Sequence, residues 1–521
     1  MKIPGIFLVL LILAAVCILW SAGCTGAGPP PEGGPASPVS WLGNVTGQSR
    51  YAYATWGISV VDPATGEVLY AENPGNLFTA GSTTKCFTVA AALEMLGPGY
   101  RFTTPVFARG TIAPGGVLDG ILILVASGDP TMGGRTLANG TIAFTNADHG
   151  DANALGGALL TPTDPLAGLD DLALQVRNVG ITRVKDVVID DRLFETAQLA
   201  DENPVTPIII NDNLIDIIIT PAAEGSPAMV AMRPETTVWT LDADVGTGAP
   251  GGEPGIVIYG DDGTISVAGT VPADGGTEVR TFRPPDAASF ARSLFIGALE
   301  RAGVAVDAPP DGVNPAFLLP KPAASDMERV AELVSPPFSE NAKLILKVSQ
   351  NLHANTLLGI MAAQRGYRTV QEGLAQEWSL LALAEIDPAS LTLIDGEGSG
   401  GNRISPEAMT ALLRFMAHRP YTHYYRDALP VLGVDGTLAE SVPPGSPARG
   451  MVQAKTGTVV SGDMSGIFLN ARAMAGYLTA KSGRELVFAV FVNDVRITGI
   501  PDAIAVGNDL GRIAELLYEA Y

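Results

Sequence analysis

The sequence predicts an α/β protein in which one domain, an antiparallel sheet with helices, is opened by a long β-rich insertion. Three observations lead there. An early run, 86–96, is apolar nearly all round and reads as a helix buried on every side. Strand-like runs at 450–460, 466–478 and 485–492 close the chain, with a helical pattern after them at 503–521. Between these ends, from about 106 to 284, short β-rich runs alternate with Gly, Pro, Asn and Asp. A chain of 521 residues exceeds one ordinary core. We expect 41–105 together with 285–521 to form the first body, and 106–284 to form one or two inserted β-rich domains.

The elements follow in order. Lys2 precedes an apolar run and then Ser21-Ala22-Gly23-Cys24, the pattern of a cleaved leader over 1–23. Ala22-Gly23-Cys24 looks like the end of a lipoprotein signal, with Cys24 as the lipidated residue; an uncleaved N-terminal anchor is the alternative. Either reading puts the body outside the cytoplasm, tethered to the outer face of the membrane. Residues 24–40 are rich in Pro and Gly and read as the tether. A hairpin is expected at 56–70, around Asp62-Pro63-Ala64-Thr65-Gly66. Within the insertion we expect strands at 121–125, 184–189, 208–210, 215–219, 237–241 and 255–259, one helix near 169–179, and a long loop at 133–163. Helices return at 287–303, 341–347, 352–363 and 407–418.

Composition excludes several classes. Hydrophobic residues make up 47% and charged residues 17%, so the chain is globular rather than disordered. A net charge of −22 argues against nucleic acid, whose phosphates need a basic surface. Three cysteines, Cys17, Cys24 and Cys86, make no disulfide framework. The four histidines, His149, His353, His418 and His423, lack metal-ligand spacing and read as ordinary core or surface residues, so no metal and no cofactor is expected.

Three short motifs carry chemistry. Ser82 and Lys85 stand at the mouth of the buried helix, and their i, i+3 spacing puts both on one face. Desolvation favours a neutral amine, which can take the serine proton, while the helix N-terminus offers N–H groups to a developing oxyanion. Alone, this pair is weak evidence, since a serine cap and a snorkelling lysine give the same pattern. Ser349-Gln350-Asn351 lies between two helices; a second serine can relay a proton and an asparagine amide can hold a substrate amide. Lys455-Thr456-Gly457-Thr458 sits on a strand-like run, where a lysine and two hydroxyls can hold a carboxylate and Gly457 lets a ligand or another backbone approach. A solvated edge lysine would read the same way in isolation.

The three motifs in this order are the signature of penicillin-binding proteins and serine β-lactamases. Some 267 positions separate Ser82 from Ser349, and 106 separate Ser349 from Lys455. The first gap is too long for a β-lactamase. The chain resembles the D-alanyl-D-alanine carboxypeptidase/endopeptidase family, the class C low-molecular-mass penicillin-binding proteins of peptidase family S13, over about 56–493. Ser127-Gly128-Asp129-Pro130-Thr131, Asn211-Asp212-Asn213 and Asp395-Gly396-Glu397-Gly398 carry the likeness further. The resemblance implies a transpeptidase-like domain interrupted between its first two motifs. It implies Ser82 as acylated nucleophile, Lys85 as its base and Ser349 as proton relay. It further implies that Asn351, Lys455, Thr456, Gly457 and Thr458 bind substrate, and that the N–H groups of Ser82 and Thr458 form the oxyanion hole. The expected ligands are a cell-wall peptide ending in D-Ala-D-Ala and, covalently, β-lactam antibiotics. The chain departs from the family in four places, one being the Asp395 segment, which is about one residue shorter than usual and richer in glycine. Gln350 replaces a frequent aspartate and is expected to point away from the reaction, Ala80-Gly81 stand where Pro-Ala is common, and 133–163 looks additional. A serine esterase or β-lactamase on the same trio, and a silent wall-binding protein on the same fold, are the competing readings.

Overall fold

The computed structural model describes residues 40–199, 204–321, 327–464 and 466–521. The leader over 1–23, Cys24 and all but the last residue of the 24–40 tether lie outside the described residues. Among the described residues, no helix is long and apolar enough to cross a membrane.

The closing strands and the opening hairpin share one antiparallel sheet. Its order is Val452–Asp463, Gly466–Thr479, Glu485–Asn493, Thr55–Val61 and Val68–Glu72, with Val495–Ile497 pairing the second of these. Strand residues alternate between two cores, as the two-residue period requires. Val487, Ala489 and Phe491 face a helical layer, whereas Leu486, Phe488, Val490 and Val492 face the terminal helix Ile500–Ala520. That helix buries Val506, Leu510, Ile513 and Leu517 on the sheet, which explains its amphipathic pattern.

On the other face lies the helix Lys85–Leu96, buried continuously from Lys85 to Leu93. The helices Asn351–Gln364, Val370–Leu383 and Pro406–Ala417 share its core. The helix Val370–Leu383 was not anticipated; its signal was local, a capping box in which Thr369 and Glu372 satisfy each other's backbone N–H groups. The structure places Ser82 in a short 3₁₀ turn, Gly81–Thr84, and the α-helix begins only at Lys85.

The second core belongs to the insertion. Its five-stranded sheet runs Ala305–Val306, Arg183–Asp190, Val117–Val125, Thr103–Ala113 and Glu328–Val334. Arg183–Asp190 lies parallel to Val117–Val125, and the connection carries the helix Ala167–Asn178. Two three-stranded sheets complete it, one centred on Ile215–Thr220 and one on Thr264–Pro272. The helix Ala287–Arg301 packs here, with Phe290, Leu294, Phe295 and Leu299 in the same core as Val187 and Val106. This core therefore reaches Val330 and Ala331, past the boundary expected at 284, because strand Glu328–Val334 pairs with Thr103–Ala113. Conversely, Phe194 and Val205 leave it and pack with the helices around Lys85–Leu96. The run 208–210 is buried but not a strand, since the chain turns at Asn211–Asn213; the strand expected at 237–241 starts only at Thr240.

Candidate active site

The three motifs meet at one point. Lys85 Nζ lies 2.9 Å from Ser82 Oγ, 2.6 Å from Asn351 Oδ1 and 2.7 Å from the Glu397 carbonyl oxygen. The Lys85 side chain is fully buried. Lys455 Nζ donates to Ser349 Oγ at 2.9 Å and to the Thr456 carbonyl at 2.9 Å. Burial, reinforced by the positive charge of Lys85, pushes the Lys455 ammonium well below its ordinary pKa. Thr456 Oγ1 donates to Thr437 Oγ1 at 2.7 Å.

Backbone shape brings the motifs together. Gly81 has φ +54°, and a Cβ there would stand 2.8 Å from Thr458 N. A Cβ on Gly457 would run into the Ala80 carbonyl, and one on Gly398 into the Gly81 carbonyl. The Ser82 turn is thus packed between the Lys455–Thr458 strand and the Asp395–Gly398 loop, with room for glycine only. Ser349 itself has φ +72°, a left-handed backbone that non-glycine residues seldom adopt.

Several contributors carry roles that sequence reasoning does not assign. Asp395 organises the loop that presents the Glu397 carbonyl to Lys85: its Oδ1 accepts from the N–H groups of Glu397 at 3.1 Å and Gly398 at 2.7 Å and from Asn402 Nδ2 at 2.9 Å. Asn355 fixes the same loop, donating to Glu397 Oε2 at 2.8 Å and accepting from Gly396 N at 2.9 Å. Arg472 donates to Thr458 Oγ1 from the neighbouring strand, where Thr458 and Arg472 are register partners. Burial lowers the Arg472 pKa to about 10. Only the strand register could have revealed this pairing. Cys86, next to Lys85, is a core residue whose thiol burial pushes up to about 11.

The histidines also proved less ordinary than their spacing suggests. His149 and His353 are buried and both meet Asp212, which accepts from His149 Nε2 at 2.7 Å and from His353 Nε2 at 2.6 Å. Asp148, His149 and Asp212 are grouped closely enough to suggest a metal, but Arg135 supplies the cation: its guanidinium lies 2.5 Å from Asp148, 3.0 Å from Asp212 and 3.1 Å from His149 Nε2. His353 faces this cluster through Nε2. His418 and His423 lie elsewhere, against Pro63 and Tyr424.

A serine hydroxyl beside a buried amine, with a second serine–lysine pair and a threonine–arginine edge, defines a serine acyl-transfer enzyme of the penicillin-binding-protein fold. The comparisons narrow the class. Residues 42–509 match the model of the D-Ala-D-Ala carboxypeptidase 3 (S13) family. A D-alanyl-D-alanine carboxypeptidase of Actinomadura sp. (strain R39) is 31% identical over 87% of this chain and 81% of its own length. The crystal structure of penicillin binding protein 4 from Haemophilus influenzae shares the fold, with a TM-score of 0.67 and 20% identity over 92% of this chain and 99% of that one. The chain belongs to the S13 family of D-Ala-D-Ala carboxypeptidases.

Proposed function

We propose that this protein is a serine-type D-Ala-D-Ala carboxypeptidase, endopeptidase or both, acting on cell-wall peptides through an acyl-enzyme on Ser82. The observation that carries the reading is the 2.9 Å approach of the buried Lys85 Nζ to Ser82 Oγ. Lys85, in its neutral form, takes the Ser82 proton as Oγ attacks the carbonyl carbon of the penultimate residue. The N–H groups of Ser82 and Thr458 receive the oxyanion. The C–N bond then breaks, and Ser349, held by its hydrogen bond from Lys455, passes a proton to the departing amine. Asn351 holds the substrate amide and fixes Lys85, which the 2.6 Å contact supports. Thr456, Thr458 and the close-packed Gly457 form the edge that takes the terminal carboxylate, with Arg472 supplying charge behind Thr458. Water cleaves the ester and frees Ser82.

β-Lactams enter the same scheme as acylating ligands, since the four-membered amide opens on Ser82 and no amine departs. The leader and Cys24 support an extracytoplasmic enzyme held at the membrane by a lipid or an N-terminal anchor.

The test is product analysis on a diacetyl-lysyl-D-Ala-D-Ala peptide and on cross-linked muropeptide dimers. Release of free D-Ala from the first, or cleavage of the second into monomers, is expected, and Ser82→Ala abolishes it. Hydrolysis of simple esters with neither peptide cleaved would overturn the reading in favour of an esterase.

A further inference from the structure

The additional segment 133–163 packs around the middle motif. Ile142 and Phe144 join Leu344 and Val348 in a small apolar cluster, just ahead of Ser349. Asn146 Oδ1 accepts from Gly436 N at 2.8 Å, and Gly436 lies directly over the Lys347 backbone. Gly150 approaches the Gln350 amide so closely that a Cβ there would stand 3.1 Å from Nε2. The segment thus reaches the Ser349 turn from several sides.

The polar side of this contact is ionic and buried. Gln350 Nε2 donates to Asp212 Oδ2 at 2.9 Å and to Asp148 Oδ1 at 3.3 Å. Asp148, from the additional segment, is paired twice by Arg135, at 2.5 and 3.0 Å. Asp212 is held in a left-handed turn, with φ between +51° and +56° at Asn211, Asp212 and Asn213. His149 bridges it to Asp216 through Nδ1 at 2.5 Å. Burial opposes a charged His149, but Asp216, Asp212 and Asp148 outweigh it and hold the imidazole at about 10. Burial likewise opposes the carboxylates of Asp212 and Asp148, yet the cations around them keep both below the usual range. Asp151 stands nearby, its carboxyl raised by burial despite Lys85 and Lys455.

We propose that Gln350 is a positioning residue: its amide docks on Asp148 and Asp212, and this clamp from the insertion holds Ser349 and Asn351 at their working positions. The inference rests on the site reading above. Gln350 stands between the two residues that reach Lys455 and Lys85, so its anchoring sets both contacts. The same docking explains the departure at this position. Two ionised carboxylates face the side chain, and an acid here would meet them with a third negative charge. An amide offers N–H donors and no charge.

The test is the rate of Ser82 acylation by benzylpenicillin across pH, measured on the full chain with Gln350→Glu, Gln350→Ala, Asp148→Asn and the Asp148→Asn/Gln350→Glu pair, each with its melting temperature. Gln350→Glu is expected to slow acylation about tenfold or more where the new carboxyl is ionised, and to recover as acidification restores an O–H donor. Gln350→Ala slows acylation without that recovery. The double variant is faster than Gln350→Glu alone, because one opposing charge is gone. If Gln350→Glu proves unstable, the single Asp148→Asn variant carries the test: slower acylation at an unchanged melting temperature supports positioning. Acylation within twofold of wild type in all folded variants would overturn the inference and leave the cluster a purely structural contact. Failure of the wild-type protein to take benzylpenicillin on Ser82 would instead sink the site assignment beneath it.

Discussion

Lys455 Nζ meets Ser349 Oγ across 2.9 Å, and Ser349 presents that oxygen from a left-handed backbone with φ +72°. For a non-glycine residue this conformation costs about 1–2 kcal/mol. Ser349→Gly should therefore leave stability unchanged or raise it by about 1 kcal/mol, while acylation falls by about tenfold or more for want of the hydroxyl. Thermal melts beside penicillin-acylation rates check this. A clear loss of stability would show that the hydroxyl, not the backbone, dominates at this position.

Glycines at the seam of the site are expected to be intolerant. Gly457→Ala and Gly398→Ala each push a methyl into a backbone carbonyl, at Ala80 and Gly81 respectively. Each should cost about 1–3 kcal/mol of stability and reduce acylation strongly, because the Ser82 turn must shift. Gly483→Ala, at φ +87° with nothing within 4 Å, is the control for Gly398, at φ +97°: it carries the conformational strain without the clash. Equal acylation by the three variants would contradict this account.

The motif residues were legible in the sequence because each is local: Ser82 with Lys85, Ser349 with Asn351, Lys455 with Thr458. Their convergence was legible only through their order. The closing strands and the buried helix could be read from period alone, since the sheet is covered on both faces and the helix on all sides. The rest depends on long-range register. Arg472 meets Thr458 only because their strands pair, and the Glu397 carbonyl points at Lys85 only because Asp395 folds its own loop. His149 looked unremarkable in the sequence because its partners Asp212 and Asp216 lie more than sixty residues away. The extent of the second core is hidden for the same reason: the helix Ala287–Arg301 has a generic apolar pattern, and nothing local says which core it will join.

Arg472 gives a prediction about binding. Its guanidinium stands behind Thr458, where it adds positive charge to the edge that takes a terminal carboxylate. Arg472→Ala should raise KM for a D-Ala-D-Ala peptide by about tenfold, with a smaller effect on kcat. An amidated peptide should lose far less than the free acid. Equal losses for both peptides would show that Arg472 supports only the strand.

Glu377 gives a prediction about pH. It is fully buried near Asp395; among the described residues neither oxygen has a hydrogen-bond partner, since the nearby Thr88 hydroxyl donates to the Gly396 carbonyl at 2.9 Å instead. Burial pushes the Glu377 carboxyl up to about 8. The folded state then holds a proton that the unfolded chain releases at the ordinary value of 4.5. Stability from this group is thus lost as pH rises from 4.5 through about 8. Glu377→Gln should remove that loss, matching wild type in acid and exceeding it by a few kcal/mol near the upper end of the window. Melting curves of both proteins across this range decide it, and parallel profiles would contradict the assignment.

The central claim is that Ser82, activated by Lys85, carries the acyl group. Its most direct test is the intact and peptide mass of the protein after incubation with a labelled penicillin, beside Ser82→Ala. We predict one stable adduct on the peptide containing Ser82, absent from the variant. Folded wild-type protein with no adduct, or an adduct that persists in Ser82→Ala, would contradict it.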